Sequence, residues 1–261
     1  MGAAMQVAQP EQTIEGEREH HQQPVDQQAR LEGWQYNIVP AAFEWQLLEI
    51  AKRGFRYVSL EEYLAELGKS SRESRHLATV TFDDGWRDNF DYAFPILRAH
   101  TIPATFFIVS GEMEGVSSDR RMTPDQLCRL KSGGMTIGAH SRTHPNLALL
   151  SSPSLADELR GSKQDLEAVL GTSVNYLAYP GGRFNRTVVT AAQQAGFNAA
   201  CSVIGWGQNS EASRFWLYRD VFSDRLDSLS DRLRLNAWSR RMFRWKASRA
   251  LRRMLRVWTH E

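Results

Sequence analysis

Two short polar clusters have residue types and spacing that suit metal-dependent hydrolysis. The first is T-F-D-D-G at 81–85, which ends an apolar run, and the second is H-S-R-T-H at 140–144, which follows another. The adjacent carboxylates of Asp83 and Asp84 repel each other, and a bound cation would make the pair tolerable while leaving one Asp free as a base. The H-x-x-x-H spacing can turn both imidazoles to one side, as zinc-binding pairs do.

Each cluster taken alone also has a simpler interpretation. Asp-Gly is a common turn that can cap a following helix, and a single His is usually structural. Together, however, the clusters supply an Asp, His and His set with an open position, which is typical of a catalytic metal, whereas structural zinc is normally closed by four ligands. Zinc is the first expectation for the divalent cofactor, and Co, Ni or Fe also suit mixed nitrogen and oxygen ligands.

A third cluster, Y-P-G-G-R at 179–183, also follows an apolar run. Gly181 and Gly182 would let the backbone approach a ligand closely, and a free N–H there could bind an oxyanion. The alternative is an ordinary Pro-Gly turn.

Apolar runs alternate with helical patterns along most of the chain. This alternation predicts parallel βα units, and the number of units favours a barrel over a flat sheet. In such barrels the chemistry lies at the carboxyl ends of the strands, where all three clusters fall. The predicted strands are 55–58, 77–82, 104–109, 135–139, 176–179 and 197–203, and the predicted helices are 41–53, 60–67, 88–99, 123–131, 154–170 and 186–195.

Composition excludes several classes of protein. Of the 261 residues, 42% are hydrophobic, enough for a sizeable core, and the net charge is only +2. Because the chain up to residue 239 is mildly acidic, nucleic-acid binding is not expected. Cys128 and Cys201 are too few for a disulfide framework or a cysteine zinc site. The polar segment 1–33 is predicted to be disordered.

The two ends of the chain bear on localisation. We find neither a secretory signal nor an apolar run long enough to span a membrane, so a cytoplasmic protein is expected. Residues 238–258 interleave Trp, Leu and Met with eight cations. This pattern predicts a basic amphipathic helix that lies on the inner membrane surface, packs on the barrel or contacts an anionic polysaccharide.

The T-F-D-D-G, H-S-x-x-H and Y-P-G-G clusters, in this order, resemble the polysaccharide deacetylase (NodB homology) family, carbohydrate esterase family 4. The resemblance covers roughly residues 77–222, and F-E-x-Q-L at 43–47 and V-S-L at 58–60 resemble deacetylases of bacterial exopolysaccharide loci. It implies an α/β fold, a distorted (β/α) barrel over 34–237, between the polar segment and a basic helix at 238–261. It also implies removal of N-acetyl groups from GlcNAc-type glycans.

Family roles carry over to matching positions of this chain. The resemblance implies that Asp83 is the catalytic base and that the Gly181 N–H contributes to the oxyanion site. The implied metal ligands are Asp84, His140 and His144, and the implied substrate-binding residues are Tyr179, Pro180 and Trp86.

The sequence departs from the family pattern at three places. The arginine two residues before the motif proline is Ala178 here, and Arg183 and Arg219 are the candidates to replace it. The late Leu-x-His motif, whose His is the general acid, is not visible; the nearest segment offers Arg219 as a catalytic residue and Asp220 as a possible proton shuttle. No strand ending in Tyr-His precedes Trp34, so we expect a barrel that is incomplete at its first strand.

Two other functions remain compatible with these residues. A carbohydrate-binding pseudoenzyme would keep the fold without turnover, and an amidohydrolase on the same scaffold would act on a non-sugar amide. Retention of the three ligands and Asp83 favours the deacetylase. The sequence leaves the glycan and the oligomeric state open.

Overall fold

A computed structural model describes residues 3–5, 38–67, 69, 76–113, 120–204 and 209–220. The chain divides into the units Met1–Phe222 and Ser223–Glu261. The second unit, with the predicted basic helix at 238–261, lies outside the described residues. Within the described ranges, no helix is long and apolar enough to cross a membrane.

The described part of the first unit is built on one curled sheet of parallel strands. The strands are β1 Ala3–Met5, β2 Arg56–Tyr57, β3 Leu77–Phe82, β4 Ala104–Ile108, β5 Thr136–Ala139, β6 Tyr176–Ala178 and β7 Ala199–Cys201. Their hydrogen-bonded order is β1-β3-β4-β5-β6-β7, and β2 also pairs with β3. Every residue of β3 and β4 is buried, as expected for parallel strands covered on both faces. The predicted distorted, incomplete (β/α) barrel is confirmed.

Helices alternate with the strands as the periodicity predicts. The helix predicted at 88–99 begins with a π-helical turn at Asn89–Ala93, and the one predicted at 154–170 is interrupted by another at Asp157–Gly161. The helices are α1 Pro40–Lys52, α2 Leu60–Glu66, α3 Phe94–Ala99, α4 Pro124–Ser132, α5 Ser152–Ala156, α6 Ser162–Leu170 and α7 Arg186–Gln194.

Local sequence explains where several helices begin. Thr123 caps α4 in a reciprocal capping box with Gln126, which confirms the predicted start. Ser151 accepts from the Ser154 N–H at the start of α5, so this helix begins earlier than the predicted range 154–170.

The first strand lies in an unexpected part of the chain. β1 falls within the segment 1–33 for which we predict disorder, and its Ala3 pairs with Ala78 of β3. The rest of that segment lies outside the described residues, so its predicted disorder stays a prediction.

One hydrophobic cluster of the core joins α2 to the strands. Leu60, Tyr63 and Leu64 of α2 cluster with Leu77 and Tyr176, the first residues of β3 and β6. Asp83 and His140 directly follow the last residues of β3 and β5, so these two polar clusters begin where the strands finish.

Candidate metal centre and active site

The turn after β3 places its two carboxylates in different surroundings. Asp83 is buried, whereas the side chain of Asp84 is 31% exposed. Asp84 and Gly85 have φ values of 69° and 71°, so the chain reverses sharply here. Arg121 stabilises the turn because its Nη1 donates to the Asp84 carbonyl oxygen at 2.7 Å.

The H-S-R-T-H loop follows β5 and carries the two histidines on a strained backbone. Ser141 and His144 have φ values of 62° and 59°, which cost about 1 kcal/mol or more each for non-glycine residues. The Ser141 hydroxyl accepts a hydrogen bond from the His144 N–H at 3.0 Å. The conformation brings the rings of His140 and His144 to a centroid distance of 4.8 Å.

Three donor atoms converge between these loops. Asp84 Oδ1 lies 3.3 Å from Nε2 of His140 and 3.3 Å from Nε2 of His144. Potential ligand atoms of the three residues all lie within 4.8 Å of one another. The arrangement agrees with the ligand set expected from the sequence.

The hydrogen bonding of His140 prepares one nitrogen for a cation. Its Nδ1 lies 2.8 Å from the carbonyl oxygen of Ala178, which can only accept, so Nδ1 carries the proton. The neutral ring then presents the Nε2 lone pair to the cluster. Metal-bound histidines are commonly oriented in this way, by a hydrogen bond from the other ring nitrogen to a backbone carbonyl.

The electrostatics of Asp84 and His144 also fit a cation, whereas without a bound cation the carboxylates of Asp83 and Asp84 outweigh burial and raise the pKa of His140. Burial alone would raise the pKa of Asp84, but its hydrogen bond to His140 and the charges of His140, His144 and Arg121 hold that pKa well below its usual range. Burial and the neighbouring His140 lower the pKa of His144. Asp84 is therefore an anion and His144 favours its neutral form, which are the forms that bind metal.

The two separations between Asp84 and the histidines suit a divalent ion such as zinc. Ligand atoms bound about 2.0 Å from zinc are about 3.3 Å apart, which is the separation between Asp84 Oδ1 and each histidine Nε2. Three protein ligands leave further positions open.

Asp83 is paired with Arg219 beneath this cluster. Nη1 and Nη2 of Arg219 donate to the two carboxylate oxygens of Asp83, each at 2.6 Å, and the two side chains are only 3% and 4% exposed. Nε of Arg219 donates to the Ser202 carbonyl oxygen, and Nη1 also to the Thr81 hydroxyl. Arg219 therefore supplies the arginine partner missing at Ala178, whereas Arg183 is exposed.

The Y-P-G-G turn follows β6 and presents backbone to the same end of the sheet. Gly181 and Gly182 have φ values of 58° and 67°. The internal hydrogen bonds of the turn use the N–H groups of Gly182 and Arg183, which leaves the Gly181 N–H out of them. Gly181 is exposed, so this turn can offer a donor to a ligand.

The three residues expected to bind substrate are placed differently. Tyr179 is fully buried and its hydroxyl donates to the Phe215 carbonyl oxygen at 2.7 Å, so its side chain anchors the turn, and the expected direct contact does not fit this geometry. Pro180 is also buried. Trp86 is half-buried beside Asp84, with its Nε1 donating to Asp84 Oδ2 at 3.3 Å, and its substrate role stays a prediction.

Sequence reasoning missed the residues that surround the ligands. The Arg121 guanidinium lies 3.6 Å from the centroid of the Trp86 ring and is bonded to Glu112, and no sequence motif marks it. Glu158 and Asp165 contact the H-S-R-T-H loop. The sequence signal that could have indicated these contacts is Arg142 inside the loop, followed by the acidic residues Glu158 and Asp165 in the next helical segment.

The late segment contains no histidine at the expected place. Leu217 forms a parallel bridge to Cys201 at the end of β7, and Arg219 lies two residues later, where the Leu-x-His motif would place its His. Asp220 is half-buried. The other described histidines, His76 and His100, lie against Phe55 and Glu44.

Comparison with known proteins identifies one family. The family model for polysaccharide deacetylase matches residues 70–200, half of the chain. The putative polysaccharide deacetylase YxkH of Bacillus subtilis is 23% identical over 68% of this chain and 62% of its own length. The poly-beta-1,6-N-acetyl-D-glucosamine N-deacetylase of Staphylococcus aureus is 23% identical over 72% of this chain and 69% of its own length.

A solved structure supports the fold. IcaB from Ammonifex degensii superposes with a TM-score of 0.71 at 20% identity, covering 91% of this chain and 96% of that one. The chain spans about three fifths of the length of the first curated relatives that it matches: 62% of YxkH and 59% of a second Bacillus subtilis protein.

Proposed function

Because this chain belongs to the polysaccharide deacetylase family, we propose that it is a metal-dependent hydrolase that removes N-acetyl groups from GlcNAc-type poly- or oligosaccharides. One observation carries the proposal. Two adjacent carboxylates have different partners: the buried Asp83 is paired with Arg219, and Asp84 converges with the imidazoles of His140 and His144. The first supplies a base, and the second supplies a cation site with open positions.

Asp84, His140 and His144 would hold the divalent ion, with zinc as the first candidate. When bound, the ion would polarise the acetamide carbonyl and lower the pKa of a water molecule. The hydrogen bond from His140 Nδ1 to Ala178 keeps that ring in one tautomer and orientation.

Asp83 would take the proton from the attacking water. Its two hydrogen bonds to Arg219 fix the carboxylate plane, so the base does not reorient during the reaction. The Arg219 guanidinium also pairs the carboxylate, so that Asp83 is not an isolated buried charge.

The backbone N–H of Gly181 would stabilise the negative charge that develops on the carbonyl oxygen of the substrate. Its left-handed backbone turns the peptide so that an N–H outside the turn's own hydrogen bonds can donate to that oxygen. Breaking the C–N bond requires a proton on the leaving amine, and the proton that Asp83 took from the water would supply it, giving acetate and a free amino sugar.

The relatives support the proposed substrate class. The poly-beta-1,6-N-acetyl-D-glucosamine N-deacetylase suggests a β-1,6-linked polymer as the first glycan to test. The peptidoglycan-N-acetylmuramic acid deacetylase PdaA of Bacillus subtilis, 24% identical, makes peptidoglycan fragments the second.

The test is acetate release from β-1,6- and β-1,4-linked GlcNAc oligomers, using protein stripped of metal and then supplied with zinc or cobalt. We expect release only with metal, and loss of release in Asp83→Asn with metal still bound. Asp91→Asn, an exposed carboxylate paired with Arg87, is the matched control. Protein that binds one metal per chain but releases no acetate would instead favour a glycan-binding pseudoenzyme or a non-sugar amide substrate.

A further inference from the structure

The H-S-R-T-H loop needs outside support to keep its shape. Two of its five residues, Ser141 and His144, adopt left-handed backbone that non-glycine residues avoid. Such a conformation persists only when neighbouring groups over-determine it. The supporting groups must therefore be found in the elements packed on the loop.

One support is the carboxylate of Glu158. Its Oε2 accepts from the backbone N–H groups of Arg142 at 2.8 Å and Thr143 at 2.9 Å, and its Oε1 accepts from the Thr143 hydroxyl at 2.6 Å. One side chain thus satisfies two consecutive backbone amides of the loop.

The second support is the guanidinium of Arg142. Nε and Nη2 donate to the two oxygens of Asp165, each at 2.9 Å, and Nη1 donates to Asp157 at 3.0 Å. Ser110 also donates to Asp165, so the loop and the end of β4 share one carboxylate. Gly161 allows this approach, since a Cβ there would lie 2.5 Å from Arg142 Cζ.

The π-helical turn at Asp157–Gly161 brings these partners together. Asp157, Glu158 and Gly161 all belong to it, and Asp165 follows one turn later on α6. The widened turn changes which residues share a face of the helix, and π turns are frequent at functional sites.

The backbone of the loop is also fixed from the opposite side. The N–H groups of Ser110 and Gly111 donate to the carbonyl oxygens of Ser141 and Arg142, at 3.2 and 2.8 Å. The peptide groups between the two histidines are therefore held from two elements, and their conformation sets the separation of the imidazoles.

We propose that Arg142 is a positioning residue for the metal centre, acting with Glu158 and Asp165 to hold His140 and His144 in ligand geometry. This inference rests on the metal site of the proposed function. It assigns a role to Arg142, at a position that the H-S-x-x-H pattern leaves unspecified, and to two carboxylates outside the ligand set. Arg142 is specific for the role because only its planar fork can pair with Asp165 bidentately while reaching Asp157.

The test measures metal affinity without turnover. Full-length wild-type, Arg142→Gln, Arg142→Lys and Glu158→Gln proteins are titrated with Co²⁺, and zinc affinity is obtained by competition. We expect roughly 10- to 100-fold weaker binding for Arg142→Gln and Glu158→Gln, as for outer-shell changes elsewhere, with a smaller loss for Arg142→Lys. The visible Co²⁺ spectrum should also change in the variants, because ligand geometry changes.

Arg160→Gln is the matched control, an exposed arginine on the same π turn. It should bind metal like the wild type, and far-UV circular dichroism should show all variants folded. Wild-type affinity and spectrum in Arg142→Gln would overturn the proposal, as would a wild-type protein that binds no metal. Weakened binding in the variants, together with a wild type that binds metal but deacetylates no glycan, would uphold this inference and refute only the proposed reaction.

Discussion

Arg219 and Asp83 are 136 residues apart in the chain, yet the two carboxylate oxygens of Asp83 each accept a hydrogen bond from Arg219 at 2.6 Å. The pair joins the turn after β3 to the segment after β7. Ala178, where the family pattern described above would place an arginine, is completely buried. The guanidinium that pairs with Asp83 therefore comes from Arg219, at a different point of the chain.

Replacing Arg219 by Met should destabilise the fold and abolish activity. The change leaves a carboxylate buried without its cation, which costs about 3–5 kcal/mol. The double variant Arg219→Met/Asp83→Asn, in which neither charge remains, should recover a large part of that loss. Urea denaturation of the wild type, both single variants and the double variant measures the coupling, and additive losses would contradict a direct pair.

Asp88 predicts a pH dependence of stability. Both of its carboxylate oxygens are buried, and burial raises its pKa to about 6, with Asp91 acting in the same direction. Because the folded pKa exceeds the unfolded value of about 3.9, the native state binds the proton more tightly. The stability that Asp88 contributes is therefore present below about pH 4 and lost as pH rises through 6.

Asp88→Asn should remove this dependence. The variant should be more stable than the wild type by about 1–3 kcal/mol at pH 7, and the difference should vanish near pH 4. Chemical denaturation at several pH values measures it. A variant that is less stable at pH 7 would show that the ionised carboxylate is stabilised in the fold.

The two motif glycines should differ in their tolerance of alanine. A Cβ at Gly182 would lie 2.3 Å from Val203 Cγ2 and 2.7 Å from its backbone nitrogen, whereas a Cβ at Gly181 meets nothing closer than 3.8 Å. Both residues have positive φ, so Gly181→Ala should cost about 1–2 kcal/mol from backbone strain alone. Gly182→Ala should cost more, because backbone must also move. Equal melting temperatures for the two variants would contradict this.

Metal should stabilise the protein through its three ligands. Zinc at about 100 times its dissociation constant would add about 2.7 kcal/mol, which for a domain of this size raises the melting temperature by roughly 5–10 °C. His144→Ala should lose most of this increase while remaining folded, because its side chain is 38% exposed. His100→Ala, on a surface pair with Glu44, is the control and should keep the increase. An equal zinc response in both variants would exclude His144 as a ligand.

Several features of this protein follow from its sequence alone. The order of strands and helices and the positions of the three polar clusters depend on local patterns: buried apolar runs, helical spacing and capping residues such as Thr123. Because parallel strands end at one edge of the sheet, a polar cluster after each run is enough to predict that Asp84, His140 and His144 meet.

Tertiary structure decided the rest. Arg219 could replace the missing arginine only if the segment after β7 returns beside β3, which depends on how far the sheet curls. The burial of Tyr179 depends on its packing against Phe184 and the Phe215 carbonyl, and the support of Arg142 depends on a π turn. Some of these contacts join residues that are distant in the chain, and others depend on which residues share a face of a helix. Hydrophobic periodicity does not encode either feature.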